Sequence, residues 1–430
     1  MTRIGILGAG LAGLSAGFHL QSDDYTIFES SDEVGGHAGS VIVDGFTFDY
    51  GPHIIYSRNE YIKDLFIKLL GTNMIFNGVR KNYICTLGRR IPFPFEANLR
   101  KLPANVRLEC VLGALKRGAA NPKNFEEWTK ATFGDGVAKY YMLPYNEKLW
   151  KYPTSKMNLD WIADRVVTPS IEDIVAGSFV AQQKTFGPNA SFWYPKKGGT
   201  SAIGEALATK VNNIKLGSKV KSIKSTGSTV SIQSNNKTHS FRTVLSSIPL
   251  PDLVRILHDA PTDVEKAAKA LVYNSLISVF IGLKSDKLPK WTAAYVPDRS
   301  IIFHRLSFPR LFSPYTVPDG RASINVEITV AKGSKPNGTE ASEKTLEGLG
   351  ELGLLRKTEK PLFVETFVSR YAYIVYDLDY TKNTKIVKDF LLSRSIIPIG
   401  RFGEWQYFNI DHSILSGMRG AEAAMKAPFA

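Results

Sequence analysis

The sequence is poor in cysteine and lacks a long apolar run. Cys85 and Cys110 are the only cysteines among 430 residues, which excludes a disulfide framework, a structural zinc cluster and a cysteine-ligated iron–sulfur centre. No segment approaches the roughly 20 apolar residues that a membrane-spanning helix requires. The first apolar run, Ile4 to Leu7, is broken by Gly8 and Gly10 and does not form a signal-peptide core. We therefore expect a cytoplasmic chain without an integral membrane segment.

Metal-binding patterns and Ser/His/Asp triads are also missing. The seven histidines show no paired spacing typical of metal ligands. The 54 basic residues exceed the 40 acidic ones by 14, which suits a polyanionic partner or a phosphate-bearing small molecule. Zinc fingers, RNA-recognition signatures and long Lys/Arg blocks are absent, so we do not expect nucleic acid binding. The chain length and its 43% hydrophobic content indicate two or three globular domains.

The N-terminal segment predicts a dinucleotide site. Arg3 to Leu7 is typical of a buried strand, and Leu11 to Leu20 is typical of a helix. Between them, Gly8, Gly10 and Gly13 form a GxGxxG pattern in the strand–turn–helix context that the pattern requires. The glycines allow a tight turn, approach of a pyrophosphate to the backbone, and close helix–strand packing.

A carboxylate follows at the expected distance. Tyr25 to Phe28 is predicted to be the second strand and ends at Glu29, about 20 residues after the glycines, where a carboxylate binds a ribose hydroxyl. A glycine-rich turn without a ligand is the alternative for a lone GxGxxG. Because both strands, the helix and Glu29 occur together, we favour dinucleotide binding.

The segment after Glu29 resembles the second glycine-rich segment of a flavoprotein superfamily. That superfamily contains amine oxidases, phytoene desaturases, protoporphyrinogen oxidases and sugar mutases. The matching residues include Ser30, Gly35, Gly36 and His37. The resemblance implies that these residues hold the ribose and pyrophosphate of FAD rather than NAD. In agreement, apolar and polar residues alternate in 41–49 as in a β-hairpin. An NAD-binding enzyme would normally continue with further strand–helix repeats.

The remaining pattern predicts an α/β fold with an FAD-binding Rossmann-like domain, a helical insertion and an antiparallel β-sheet domain. Helical spacing dominates from about 100 to 185, and strand-like segments dominate from about 272 to 380. We assign the FAD-binding domain to 1–80, 195–255 and 392–430, the helical nucleotide and substrate domain to 100–194, and the antiparallel-sheet substrate domain to 81–99 and 256–391.

Several segments resemble the UDP-galactopyranose mutase family, especially its larger eukaryotic type. They are 48–53, 91–95, 144–150, 160–165, 186–191, 195–200, 303–305 and 400–407. The resemblance implies an isomerase, an intramolecular transferase that interconverts pyranose and furanose forms of a nucleotide-diphosphate sugar for polysaccharide biosynthesis. It further implies an adduct between reduced flavin N5 and the sugar, no net redox change, and NAD(P)H or another donor as reductant.

The resemblance also assigns site residues. Arg165 and Arg305 match arginines that clamp the diphosphate, a task that suits guanidinium forks. His53 matches a histidine beside the flavin. The matches to diphosphate and sugar contacts are Tyr373, Tyr407 and Asn409; those to nucleoside contacts are Phe95, Tyr141, Asn146 and Trp150; those to further FAD contacts are Val220, Gly400, Arg401 and Ser413.

Two other functional classes stay open at this point. Gly51 to His53 and Ala372 to Leu378 resemble protoporphyrinogen-oxidase-like proteins, which favours an FAD-dependent oxidase or desaturase with an apolar pocket. A non-catalytic flavin or nucleotide-sugar binding protein is the third hypothesis. Cys85, Glu96 and Phe312 depart from the mutase pattern, so the sequence leaves the sugar and the nucleobase open. It also leaves open the electron donor, the glycan product and whether the chain forms a homo-oligomer.

Overall fold

The computed structural model describes residues 4–118, 121–182, 184, 186, 191–226, 229–285, 287–356 and 358–426. Residues 187–190, within the predicted motif 186–191, lie outside this set. None of the helices formed by the described residues has the length and apolar character needed to cross a membrane.

A five-stranded parallel sheet forms the frame of the predicted dinucleotide site. Its spatial order is Ile396–Pro398, Thr243–Ser246, Ile4–Leu7, Tyr25–Phe28 and Ile214–Lys215. Ile4–Leu7 and Thr243–Ser246 are buried along their whole length, as expected for strands covered on both faces. Helix Leu11–His19 begins at the carboxyl end of Ile4–Leu7, so its N-terminus is placed where such sheets bind ligands.

A seven-stranded sheet forms the second layer. Its order is Phe363–Ile374, Tyr273–Leu283, Ala322–Ala331, Arg305–Ser307, Ala293–Tyr295, Asn82–Thr86 and Arg89–Pro92. Its neighbouring strands are antiparallel except for the parallel pair of Ala293–Tyr295 with Asn82–Thr86. Its register sets Arg305 directly opposite Glu327, which positions both side chains for the site described below.

Three smaller antiparallel units complete the strands. The predicted hairpin after the second glycine segment is confirmed as Ser40–Val43 and Phe46–Asp49, and Asp44 and Gly45 between them both have positive φ. Such a turn suits the twist of a two-residue hairpin. The other units are the sheet Val220–Ser225, Val230–Ser234 and Lys237–Phe241, and the pair Met74–Val79 with Ser191–Pro195.

Helices pack around both sheets. They are Glu60–Leu70, Ala104–Lys116, Phe125–Phe133, Ile171–Phe179, Ser201–Ala208, Leu250–Arg255, Thr262–Ala270, Gly338–Glu351, Tyr380–Ser393, Gly400–Gly403 and Ile410–Lys426. Several begin at polar caps: Asn59, Asn124, Ser170 and Asn337 each accept a hydrogen bond from the backbone N–H three residues later. These caps satisfy N–H groups that have no partner within the helix.

One composite helix carries the cavity-facing side chains of the helical insertion. Asp135–Val137 continues through a π-helical turn, Ala138–Met142, into Leu143–Trp150. Pro144 has no N–H and would clash with the carbonyl four residues earlier in a regular helix. The wider turn directly before it relieves that conflict, so the helix continues to Trp150 without a break.

The predicted α/β class is therefore confirmed, with a parallel sheet, a helical insertion and an antiparallel sheet. The exact domain boundaries stay a prediction.

Gly13 offers a test of the packing between the first helix and the first strand. A Cβ at this position would lie 1.9 Å from the carbonyl oxygen of Gly8, and backbone cannot move aside as a flexible side chain can. We expect Gly13→Ala to lower the free energy of unfolding by about 1–3 kcal/mol and to weaken FAD retention. Gly118→Ala is the control, because no heavy atom lies within 4 Å of its added Cβ. Thermal unfolding of both variants checks this; equal stability of Gly13→Ala and wild type would contradict it.

Candidate active site

A cavity of about 1250 Å³ lies between the parallel sheet, the helical insertion and the antiparallel sheet. All but two of the sequence-predicted site residues line it. The exceptions are Gly13, which packs against the first strand, and Phe95, which is fully buried behind the cavity wall. Residues that are far apart in the chain thus meet in one space.

The two glycine segments lie side by side at one end. Gly35 N–H donates to the carbonyl of Ala9 at 2.9 Å, and Gly10 pairs with Gly35 as a short parallel bridge. Gly8, Gly35 and Gly36 have φ values of +102°, +98° and +59°, a region that favours glycine. No heavy atom other than its chain neighbours lies within 3.8 Å of a Cβ placed on Gly10, so a ligand can approach this backbone closely.

Glu29 is fixed at the carboxyl end of the second strand. Its Oε2 accepts a hydrogen bond from Ala9 N–H at 2.7 Å, and its Oε1 accepts from Ser30 Oγ at 3.0 Å and from Ser31 N–H at 2.9 Å. The carboxylate therefore lies between the two glycine segments. This is the geometry expected of a group that binds a ribose hydroxyl.

The C-terminal segment supplies a buried arginine beside these glycines. Arg401 donates to the carbonyls of Phe408 at 2.8 Å and Ala372 at 2.6 Å, while its buried Nε–H has no partner among the described residues. Buried donors are nearly always paired, so the orphaned Nε–H fits a bound acceptor. Gly400, Ser413 and Val220 line the cavity as well. The residues present thus fit FAD at this end.

Two histidines lie near the same end. His37 packs against the ring of Phe402 at 4.7 Å, and burial together with Arg401 lowers its pKa to about 4. His53 Nδ1 is in hydrogen-bond contact with the carbonyl of Gly51. Burial lowers the pKa of His53, and the nearby Arg401 strengthens that effect. Both rings are therefore expected to be neutral at pH 7.

Arg165 is held over the centre of the cavity. It donates to Asn409 Oδ1 at 2.9 Å and to the carbonyl of Tyr407. The guanidinium carbons of Arg165 and Arg401 each lie 4.5 Å from the centroid of the Tyr407 ring. Two cations thus share one aromatic ring, which holds them close together despite their like charge.

Arg305 differs from Arg165 because it has a buried anionic partner. Its Nε and one terminal nitrogen donate to Glu327 Oε1 at 2.9 and 2.6 Å, and that nitrogen lies 2.7 Å from Oε2. Tyr373 Oη also donates to Oε2 at 3.1 Å. Burial alone would raise the pKa of Glu327, but the Arg305 guanidinium and His304 lower it to about 2. The carboxylate is therefore ionised and offsets the charge of Arg305.

Glu327 is not among the residues predicted from the sequence, although the sequence carries a signal for it. It is the only charged residue in the strand Ala322–Ala331, and it is fully buried there. A lone carboxylate in a buried strand requires a cationic or hydrogen-bonding partner.

The composite helix lines the opposite end of the cavity. Trp150 Nε1–H donates to Asn146 Oδ1 at 3.0 Å, and Asn146 Nδ2 donates to the carbonyl of Met142 at 2.8 Å. Trp150 also meets the rings of Tyr373 and Tyr407 edge to face at 5.9 and 5.8 Å. Asn146 and Trp150 are therefore linked to each other and, through Trp150, to the tyrosines next to the arginines.

Phe95 requires a correction. We predicted a ring that faces the nucleoside, but Phe95 is 0% exposed and stacks on the outer side of Tyr141 at 5.0 Å. Its neighbours Phe93 and Glu96 line the cavity instead. The short 3₁₀ turn Phe95–Ala97 sets which of these side chains point inward, and sequence spacing alone did not reveal that turn.

Comparison with known proteins identifies the family. The model of the family described as flavin containing amine oxidoreductase matches residues 11–335, more than half of the chain. The chain belongs to this family. Among curated proteins, a 4,4'-diapophytoene desaturase of Staphylococcus aureus (strain Newman) is 42% identical over 66 residues, which cover 15% of this chain and only 13% of the desaturase.

Solved structures of flavin-containing amine oxidoreductases and related proteins match over nearly the whole chain. A reduced UDP-galactopyranose mutase superposes with a TM-score of 0.93 at 26% identity, covering 100% of this chain and 97% of the mutase. A protein assigned as a protoporphyrinogen oxidase, from Exiguobacterium sp. 255-15, gives 0.78 at 17% identity with 99% coverage of both chains. The chain is thus an FAD-dependent enzyme similar in structure to UDP-galactopyranose mutase.

Glu96 generates a pH-dependent prediction. Burial raises its pKa from 4.5 to about 7. The pKa of Glu96 is higher in the folded state than in the unfolded state. The protonated carboxyl therefore favours folding at low pH, and this contribution to stability is lost as the pH rises through about 7. We expect Glu96→Gln to raise the free energy of unfolding at pH 8 by about 3 kcal/mol, with little change at pH 4. Chemical denaturation at both pH values measures the difference. The exposed Glu365→Gln is the control; the same pH dependence in both variants would contradict the prediction.

The ion pair of Arg305 and Glu327 generates a second prediction. Glu327→Gln keeps the side-chain shape but leaves the guanidinium without its counter-charge, so we expect a loss of about 3–5 kcal/mol in the free energy of unfolding. The matched control is Glu147→Gln, which breaks the exposed pair with Arg299 and is expected to cost about 0–1 kcal/mol. Urea denaturation at pH 7 compares them, and similar losses would show that burial of the pair has no special effect.

Proposed function

We propose that this enzyme is a flavin-dependent mutase that interconverts pyranose and furanose forms of a nucleotide-diphosphate sugar, such as UDP-galactopyranose and UDP-galactofuranose. The observation that carries the proposal is the position of Arg165, Arg305 and Arg401. These three arginines line the cavity between the glycine-rich FAD end and the aromatic wall of the composite helix. A substrate with a diphosphate between a sugar and a nucleoside matches that order.

The arginines suit a diphosphate that has to leave and return. Guanidinium groups bind phosphate oxygens through paired N–H donors. Arg165 is stacked on Tyr407 rather than paired with a carboxylate, so its charge remains available for an anion, whereas Arg401 stacks on the same ring from the FAD end. Arg305 is neutralised by Glu327 and would contribute directed N–H groups more than net charge. The chain thereby holds the departing diphosphate near the sugar.

The glycine segments, Glu29 and Arg401 would hold reduced FAD, which would supply a nucleophilic nitrogen for the anomeric carbon without net oxidation. The residues of the chain position the sugar and exclude water. Tyr373, held by its hydrogen bond to Glu327, and Tyr407, fixed between two guanidinium groups, form the walls around the sugar. His53, close to Arg401 and Arg305, would contact the flavin as a neutral ring.

An FAD-dependent oxidase or desaturase is the alternative that family membership leaves open. It would bind an electron-rich or apolar substrate and return a reduced flavin. The cavity-lining arginines Arg165 and Arg305 do not favour an apolar substrate, and that reaction gives them no task.

The deciding experiment uses the FAD-loaded enzyme, reduced without oxygen and offered nucleotide sugars that include UDP-galactopyranose. We expect the ring-contracted isomer by chromatography and NMR, with no stoichiometric consumption of reductant. Oxidation of the substrate with accumulation of reduced flavin would support the oxidase alternative and contradict the proposal.

Arg165 provides the mutational test. Arg165→Ala removes N–H donors that would face the diphosphate in the transition state, so we expect kcat/KM to fall at least about 100-fold, or about 2.7 kcal/mol. FAD content should stay unchanged, because Arg165 bonds to Asn409 and Tyr407 rather than to the glycine segments. Arg299→Ala, at an exposed pair, is the control. An Arg165→Ala enzyme with full activity would contradict the assigned role.

A further inference from the structure

We propose that the enzyme selects a nucleobase that carries an exocyclic amino group, as guanine and cytosine do, and that Glu96 reads this group at the aromatic end of the cavity. The inference rests on the proposed nucleotide-sugar substrate and specifies which nucleotide it is.

Glu96 is a buried carboxyl group without a cation. Its residue is 3% exposed, yet it lines the cavity, so the exposed part faces the interior space. Among the described residues, neither Lys nor Arg forms an ion pair with it. A buried acid of this kind is costly unless a ligand or neighbour satisfies its oxygens. Phe95, Tyr141 and Cys110 on its other sides are aromatic or weakly polar groups.

Aromatic rings line the cavity near Glu96. Tyr141 and Tyr145 stack with ring centroids 5.7 Å apart, and Tyr145 meets Tyr295 edge to face at 5.5 Å. Phe93 packs on Tyr295 at 5.7 Å, and all four rings line the cavity. Aromatic walls of this kind bind any base by stacking, so discrimination among bases must come from a polar group at the ring edge. Glu96 is such a group.

The composite helix places these rings at the correct end of the substrate. Trp150 contacts Tyr407, which carries Arg165 and Arg401 on its ring. Tyr141 precedes Trp150 by nine residues, or roughly 13 Å at the rise of about 1.5 Å per residue. A nucleotide with its diphosphate at the arginines therefore extends its base along the helix toward Glu96.

The donors and acceptors at the edge of each base determine how well that base can pair with Glu96. Uracil presents one N–H between two carbonyl oxygens, and an ionised carboxylate that approaches this edge meets a like partial charge. Guanine presents a ring N–H next to an amino group, and a carboxylate accepts from both. Cytosine presents an amino group beside a ring acceptor, which matches a protonated carboxyl that accepts and donates. Because burial raises the pKa of Glu96 to about 7, both forms occur near neutral pH.

Calorimetric titration of the FAD-loaded enzyme with GDP, CDP, ADP, UDP and dTDP at pH 6 and pH 8 tests the inference without measuring turnover. At pH 6 or at pH 8 we expect at least one amino-bearing nucleotide to bind about tenfold more tightly than UDP or dTDP. A preference that grows from pH 6 to pH 8 indicates guanine, and one that shrinks indicates cytosine. In Glu96→Gln, whose amide can pair with uracil, the ratio to UDP should fall at least about tenfold.

Asp160→Asn separates base reading from simple charge. Asp160 is another carboxylate that lines the cavity, but its Oδ2 accepts hydrogen bonds from Asn158 Nδ2 and Thr381 Oγ1. Its neutralisation should change the affinities of all five nucleotides by a similar factor, whereas Glu96→Gln should change their ratios. Equal effects of both variants on the ratios would overturn the inference.

The outcomes also separate this inference from the proposed function. Preference for UDP over all amino-bearing nucleotides, unchanged in Glu96→Gln, would overturn the inference while leaving a uridine-nucleotide mutase intact. Selective binding of GDP, CDP or ADP without isomerisation of any matching nucleotide sugar would support the reading by Glu96 and contradict the mutase. Failure of every nucleoside diphosphate to bind would overturn both.

Discussion

The structure of the cavity depends on how the positive charge of its buried arginines is stabilised. The ion pair of Arg305 with Glu327 is the main example. A guanidinium in a largely dry space is costly unless its charge is offset. Glu327 supplies that charge and orients the fork through bonds of 2.6 to 2.9 Å. Arg165 and Arg401 are accommodated differently, by carbonyl oxygens and the Tyr407 ring. The site therefore retains positive charge without placing three uncompensated cations in one space.

This arrangement follows from sheet register. Arg305 and Glu327 are direct partners on neighbouring antiparallel strands, and side chains of such pairs lie on the same face. Tyr373 reaches Glu327 from the edge strand Phe363–Ile374, across the intervening strand Tyr273–Leu283. A shift of one residue in the register would turn Glu327 to the opposite face. The buried pair and the buried strand Ala322–Ala331 thus stabilise the same register.

Local patterns were predictable from sequence, and contacts between distant segments were less so. The local motif was predictable because its strands and turn set the relative positions of Gly8, Gly10 and Glu29 within some 20 residues. Glu327 was missed because its partner comes from another strand and becomes evident only with the register. Phe95 was placed on the wrong side of Tyr141 because a single 3₁₀ turn decides which neighbouring side chain faces inward. The resemblance pointed to this segment, but it could not show which side chains of the turn face inward.

The two ends of the cavity also impose a direction on an elongated anionic substrate. Arg165 attracts phosphate near the centre of the cavity, whereas Glu96 at the aromatic end repels it whenever the carboxyl is ionised. A nucleotide sugar bound in reverse would place its diphosphate nearer this acid and its base over the arginines, losing favourable charge at both ends. In the proposed direction the sugar instead lies toward the glycine segments and the flavin. A buried acid that destabilises the empty fold can therefore contribute to specificity, which gives a physical reason for its place in the cavity wall.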